Sequence, residues 1–90
     1  MNNLAKKFKA LGDKNRLAIL SRLSQGEKCS CTLLKGTEIS QPTMSHHLDT
    51  LSKAGIITSY KEGTWKKHHI NEMVIDDIIA FLVSLKKEIK

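Results

Sequence analysis

The sequence predicts a small, mainly helical domain carrying one β-hairpin, and three observations carry that prediction. Apolar residues recur at helical spacing through most of the chain. Gly12, Gly26, Gly36 and Gly55 punctuate those segments. After Gly55 the period changes to two β-prone runs around Glu62-Gly63, followed by a last long apolar segment. At 90 residues the chain makes a single domain, whose core alone is marginal for its size.

Leu4, Phe8 and Leu11 fall on one face of a first helix that Gly12 ends. Asp13 is a good N-cap for a second helix, with Leu17, Leu20 and Leu23 at helical spacing and Gly26 closing it. A short third helix is expected over Cys31–Lys35, stopped by Gly36. Ser40 is the next N-cap, and Pro42 sits in the first turn, where a missing N–H costs nothing. Met44, Leu48 and Leu51 line one face of that fourth helix, with Gly55 at its exit. Ile56–Lys61 and Thr64–Ile70 are the arms of the hairpin, and Glu72–Lys90 is the longest helix. The order α-α-α-α-β-β-α is that of a winged helix-turn-helix: residues 31–55 form the helix-turn-helix and 56–70 the wing.

Charge points to a polyanionic partner. Fifteen Lys and Arg against nine Asp and Glu give +6. The longest apolar run, Ile78 to Val83, is far short of the roughly 20 residues that cross a bilayer, and no membrane role is expected. The first residues hold no apolar signal segment, so a cytoplasmic protein with reduced thiols is expected. Two cysteines are too few for a disulfide framework, and their spacing argues against a structural bridge between them. No dinucleotide fingerprint, P-loop, zinc-protease or nucleophile-elbow motif occurs, and no catalytic residue is assigned, so an enzyme is not expected.

On the fourth helix, a buried Met44 puts Leu48 and Leu51 within about 40° of it at the helical turn angle. The exposed first two turns then present Gln41, Thr43, Ser45 and His46 beside the Ser40 cap, side chains that reach base edges and phosphates in a major groove. Solvated polar residues would look the same in isolation, but here a helix-turn pattern precedes them and a basic hairpin follows. Lys61 and Lys66 flank the hairpin tip, with Lys67 next, so the wing can lie along a phosphate backbone. Trp65 is expected to pack against the recognition helix. Neither His46-His47 nor His68-His69 can chelate a metal as a pair, since neighbours diverge on a helix and face opposite sides of a strand; His47 is expected packed and hydrogen-bonded.

Ile75, Ile78, Leu82, Leu85 and Ile89 form a heptad-like seam, widened by Val74, Ile79, Phe81 and Val83. A helix this apolar needs two neighbours. A homodimer is expected, closed by Ile78, Leu82 and Leu85 with Leu4 and Phe8 of the first helix, which would match a near-palindromic double-stranded DNA site.

Cys29-Ser30-Cys31 is the one cluster of soft ligands. On a regular helix residues i and i+2 point about 200° apart, so both sulfurs meet only where the chain is extended or entering a helix. The preceding Gly26-Glu27-Lys28 puts them at such a boundary, where the helix start and Lys28 favour thiolate. A ligand requiring both would distort the first helix of the helix-turn-helix. Two unrelated small residues satisfy the same spacing equally well.

Together these segments resemble the ArsR/SmtB family of metal- and metalloid-responsive repressors over nearly the whole chain. Ala10 to Leu20 is similar to the family's opening, ALGDPTRLRIL, with Lys14, Asn15 and Ala18 departing. Glu27 to Leu33 resembles the metal box ELCVCDL, with Lys28, Ser30 and Thr32 departing. Ile39 to Leu48 is nearly the recognition helix LSQPTVSHHL, and Lys53 to Ile57, Glu62 to Trp65 and Ile70-Asn71 follow the wing pattern, with Lys67 and His68 in place of paired Tyr. The resemblance implies a dimeric repressor that leaves its operator when an inducer binds, with Cys29 and Cys31 as metal ligands and no cofactor needed for DNA binding. Leu34 stands where the arsenite-sensing branch often has a third Cys; the last helix has no His, and no Cys precedes Cys29. As(III) or Sb(III) is therefore the inducer the resemblance favours. Another soft metal, thiol oxidation, a constitutive DNA-binding protein and a winged-helix protein-interaction module are the alternatives.

Overall fold

The computed structural model describes residues 2–87, in the order α1 (Asn2–Leu11), α2 (Lys14–Ser24), α3 (Ser30–Leu34), α4 (Gln41–Lys53), β1 (Ile57–Glu62), β2 (Trp65–Ile70) and α5 (Glu72–Lys86). The expected order is met, with α3 one residue earlier than read. Ile89 of the seam lies outside the described residues.

Local chemistry sets the boundaries. Asp13 Oδ2 accepts from the Asn15 and Arg16 amides at 2.9 and 3.1 Å, satisfying donors that a helix start leaves free. α4 ends in a Schellman motif: the Gly55 amide donates to Ser52 O (2.9 Å) and the Ile56 amide to Leu51 O (3.0 Å), with Gly55 at φ 80°. That reversal delivers Ile56 and Ile57 straight into the core. The hairpin pairs Ile57 with Ile70 through Glu62 with Trp65, leaving Gly63-Thr64 as a two-residue tip with Gly63 at φ 65°.

The core is formed by Ala10, Ile19, Leu23, Leu33, Met44, Leu48, Leu51, Ile56 and Ile57. Leu33, Leu51 and Ile56 are fully covered, each contributing about 1.5–3 kcal/mol relative to exposure. In α2 the buried residues are Ile19 and Leu23, with Leu20 half-buried; Leu17, grouped with Leu20 and Leu23 by spacing, is exposed.

The last helix divides along its length. Val74 and Ile75 pack on the core, whereas Ile79, Leu82, Val83 and Leu85 are each about half exposed in the single chain. Phe8 and Phe81 meet edge to face at 5.8 Å and so join α1 to α5, with Leu4 half-buried nearby in sequence. Ile78 departs from its expected role. It is 6% exposed within one chain, so it is already covered and is not part of the free seam.

Candidate nucleic-acid interface and thiol segment

α3, the turn through Gly36 and α4 form the helix-turn-helix, and the β1–β2 hairpin projects as the wing. Ser40 caps α4: its Oγ accepts from the Thr43 amide at 3.3 Å and donates to Thr43 Oγ1 at 2.9 Å. Ser40, Gln41, Thr43, Ser45 and His46 are all exposed, as are Lys61 and Lys66, which face each other across the hairpin. Trp65 corrects its expectation. It is 57% exposed and lines one side of a groove with Gln41, Met44 and Ser45, because the tip of a two-stranded arm carries it clear of the core.

His47 is buried, as expected, and its partner is Arg16 of α2. Arg16 Nε donates to Ala10 O at 2.6 Å, Nη2 to Lys9 O at 3.5 Å and Nη1 to His47 Nδ1 at 3.2 Å. A guanidinium only donates, so His47 Nδ1 accepts in this arrangement. Asp13 Oδ2 lies 3.9 Å from the same nitrogen. Backbone N–H groups, Arg16's first and then Asn15's, hold the Asp13 carboxyl below the usual carboxylate range. One polar cluster thus fixes the end of α1, the start of α2 and the middle of α4.

On the opposite flank, Cys29 is the N-cap of α3 with extended backbone (φ −84°, ψ 132°), and its Sγ accepts from the Cys31 amide at 3.4 Å. The extended residue turns the Cys29 side chain toward that of Cys31, with Cα atoms 5.2 Å apart, and the two sulfurs are joined as a disulfide. That overturns the expectation of two reduced thiols with no bridge between them; it agrees with the expectation that they converge where the chain is extended at the entry to the helix. Cys31 is exposed and Cys29 half-buried. Among the described residues no group of three or more His, Cys, Asp and Glu side chains is placed to hold a metal, so no third ligand of these types joins the two sulfurs, and Leu34 adds none.

The thiol segment is also part of the wing. Cys29 bridges Lys67 of β2, the His68 amide donates to Lys28 O at 2.8 Å, and Ser30 Oγ donates to Lys66 O at 3.5 Å. A bidentate pair anchors it from α2. Arg22 Nε and Nη2 donate to Glu27 Oε2 and Oε1 at 2.6 and 2.9 Å, and the same guanidinium donates to Thr32 O (2.6 Å) and Leu33 O (2.7 Å). Those hydrogen bonds from Arg22 depress the Glu27 pKa. His68 is almost fully buried; Nδ1 is 2.8 Å from Ser59 Oγ, while Nε2 has no partner. Burial first, and the Lys66 charge second, lower its pKa. His69 faces outward beside Thr58, so the second His pair splits across the strand as expected.

Sequence reading missed Arg16, Arg22 and Glu27. A signal existed: Arg16 and Arg22 lie three residues before and after Ile19, on the borders of the buried stripe of α2, where a charged head needs a fixed partner.

A recognition helix with an exposed polar face, a basic wing and a thiol-bearing helix entry make this a winged helix-turn-helix DNA-binding regulator. The chain belongs to the arsR family of bacterial regulatory proteins, whose family profile matches residues 13–59. It is 42% identical over 83 residues to an uncharacterized HTH-type transcriptional regulator of Methanocaldococcus jannaschii, covering 91% of this chain and 89% of that one. It is 43% identical over 75 residues to an arsenical resistance operon repressor of Staphylococcus aureus, covering 83% and 72%. The fold superposes on the homodimeric winged helix-turn-helix DNA-binding domain of a possible ArsR-family regulator from Mycobacterium bovis with TM-score 0.77 and 29% identity, covering 96% and 81%. Family and fold are those of transcriptional regulators, not enzymes.

Proposed function

We propose that this chain is a cytoplasmic repressor of a metal(loid)-resistance operon. It binds a near-palindromic operator as a homodimer and releases it when a soft metal(loid), As(III) or Sb(III), is held by Cys29 and Cys31. The convergence of the two sulfurs at the entry to α3, on a segment hydrogen-bonded to the wing, is the observation that carries this reading. The Staphylococcus aureus relative named as an arsenical resistance operon repressor supports the choice of inducer. Trivalent arsenic is a soft centre that takes thiolates, and the reduced pair offers two.

This chain's own residues supply the coupling. Ser40, Gln41, Thr43, Ser45 and His46 face the major groove, and Lys61 and Lys66 follow the backbone from the wing. Cys29 is both N-cap of α3 and bridge partner of Lys67, so a ligand that redirects its side chain disturbs the helix-turn-helix and the wing together. The exposed Leu82 and Leu85, with Ile79 and Val83 beside them and α1 close by, form the dimer face.

A second reading is favoured by the joined sulfurs themselves: oxidation as the signal. There, two thiols give up two protons and two electrons to a peroxide, which is reduced to water as the disulfide forms. One titration separates them. Arsenite is added under reducing conditions to the protein bound to DNA from immediately upstream of its gene. Release that is lost when both Cys29→Ser and Cys31→Ser are introduced, with DNA affinity retained, is the expected outcome. Release by peroxide alone selects oxidation, and a complex that neither disturbs is constitutive.

A further inference from the structure

The recognition helix has a second groove, on the flank away from the wing. It lies between α1 and α4, has a volume of about 530 Å³, and is lined by Lys6, Lys9, Arg16, His46, Asp49 and Lys53 among others. We propose that this groove is a second phosphate-binding surface, in which Lys6 and Lys9 of α1 hold the DNA strand on the side of the major groove opposite the wing. The inference rests on the DNA-binding reading and adds residues to it.

Three features converge. First, Lys6 and Lys9 point away from the Leu4–Phe8–Leu11 face of α1, whose Phe8 is engaged with Phe81, so dimerisation through that face leaves both lysines free. Second, His46, Asp49, Thr50 and Lys53 fall at i, i+3, i+4 and i+7 on α4 and all border the groove, which is therefore continuous with the reading face through His46. Third, charge favours an anion: Lys6, Lys9, Arg16 and Lys53 meet one carboxylate of the lining, Asp49, and that carboxylate is neutralised by Lys53 at 3.0 Å. Arg16 is committed to Ala10, Lys9 and His47. Among the described residues neither Lys6 nor Lys9 forms an ion pair.

Duplex geometry supplies the occupant. Both walls of a major groove are phosphate backbone, so a helix lying in it meets a strand on each side. Lys66 and Lys61 reach one; the other passes the flank that Lys6 and Lys9 occupy.

The test is the salt dependence of binding, followed by fluorescence anisotropy, to the duplex from immediately upstream of the gene and to a mixed-sequence duplex of equal length. The Lys6→Gln, Lys9→Gln double variant should lower the log–log salt slope by about 2, so that its loss of affinity relative to the unsubstituted protein grows about tenfold, equally for both duplexes, as salt falls from about 200 to about 50 mM. Lys87→Gln removes a charge at the far end of α5 and should leave the slope unchanged. An unaltered slope in the double variant, or an equal fall in Lys87→Gln, overturns the groove. His46→Ala reports on the underlying reading: it should reduce the preference for the upstream duplex. Failure of that preference with the lysine effect intact faults the reading face alone, and binding of neither duplex by the unsubstituted protein overturns both.

Discussion

The two flanks of the recognition helix are held by different kinds of device. Toward α1 and α2, α4 is pinned by the Asp13–Arg16–His47 cluster, which joins three helices through side chains that have no redox chemistry. Toward α3 and the wing, the support is the Lys28–Cys31 segment, stitched to β2 by backbone contacts and carrying both cysteines. One flank is a fixed anchor. The other carries the sulfurs on which the proposed inducer acts, and a helix held firmly on one side turns about that side when the other gives way.

The largest effect should come from breaking the anchor. Arg16→Met keeps length and packing but leaves Ala10 O and His47 Nδ1 without their donor, at a cost of about 2–3 kcal/mol in urea unfolding. It should also weaken DNA binding in the absence of any inducer. Full stability in this variant would mean that the cluster positions nothing and that the comparison between flanks is wrong.

The anchor also shows where sequence reasoning stops. The limits of α4 were legible because each is set by a local group: the Ser40 cap, Pro42 in the first turn, and the Gly55 reversal. The exposed polar face of α4 followed from helical period alone, and the place where the two sulfurs could meet from the break between coil and helix. The Arg16–His47 contact joins residues 31 apart in the chain, and no local pattern encodes such a pair. The Cys29–Lys67 bridge is a single isolated pairing, without the alternation that marks a strand. Ile78 was assigned to the dimer seam because periodicity finds an apolar stripe without saying which partner covers each residue. Trp65 was expected against α4, yet its position at a hairpin end fixes its exposure.

A smaller effect should distinguish the flanks by pH. His68 is buried and neutral beside the backbone contact that ties Lys28 to the wing, with its imidazole held below the ordinary range. The unfolded chain takes up that proton below about pH 6.5, whereas the folded chain does so only at lower pH. The stabilisation is therefore present above about pH 6.5 and declines as pH falls below it. Thermal unfolding from about pH 7.5 to about pH 5.5 should show this loss, and His68→Leu, which cannot titrate, should flatten it. An unchanged profile in the variant would transfer the pH sensitivity to another group and remove His68 from the thiol flank's supports.

The smallest expected effect concerns Ser40, which stands where both flanks meet the start of α4. Its hydroxyl caps the Thr43 amide and, in the proposed function, also faces DNA, so capping and recognition must be separated. Ser40→Ala should cost about 1 kcal/mol, the usual loss of an N-cap, because the two flanks still hold the rest of the helix. Ser40→Asp retains the cap and places a carboxylate at the helix start, where the backbone dipole favours it, so stability should return to the original level. DNA affinity should not return, since the proposed DNA contact would set the same carboxylate against phosphate. If Ser40→Asp restores both, Ser40 acts only as a cap, and the reading face begins at Gln41.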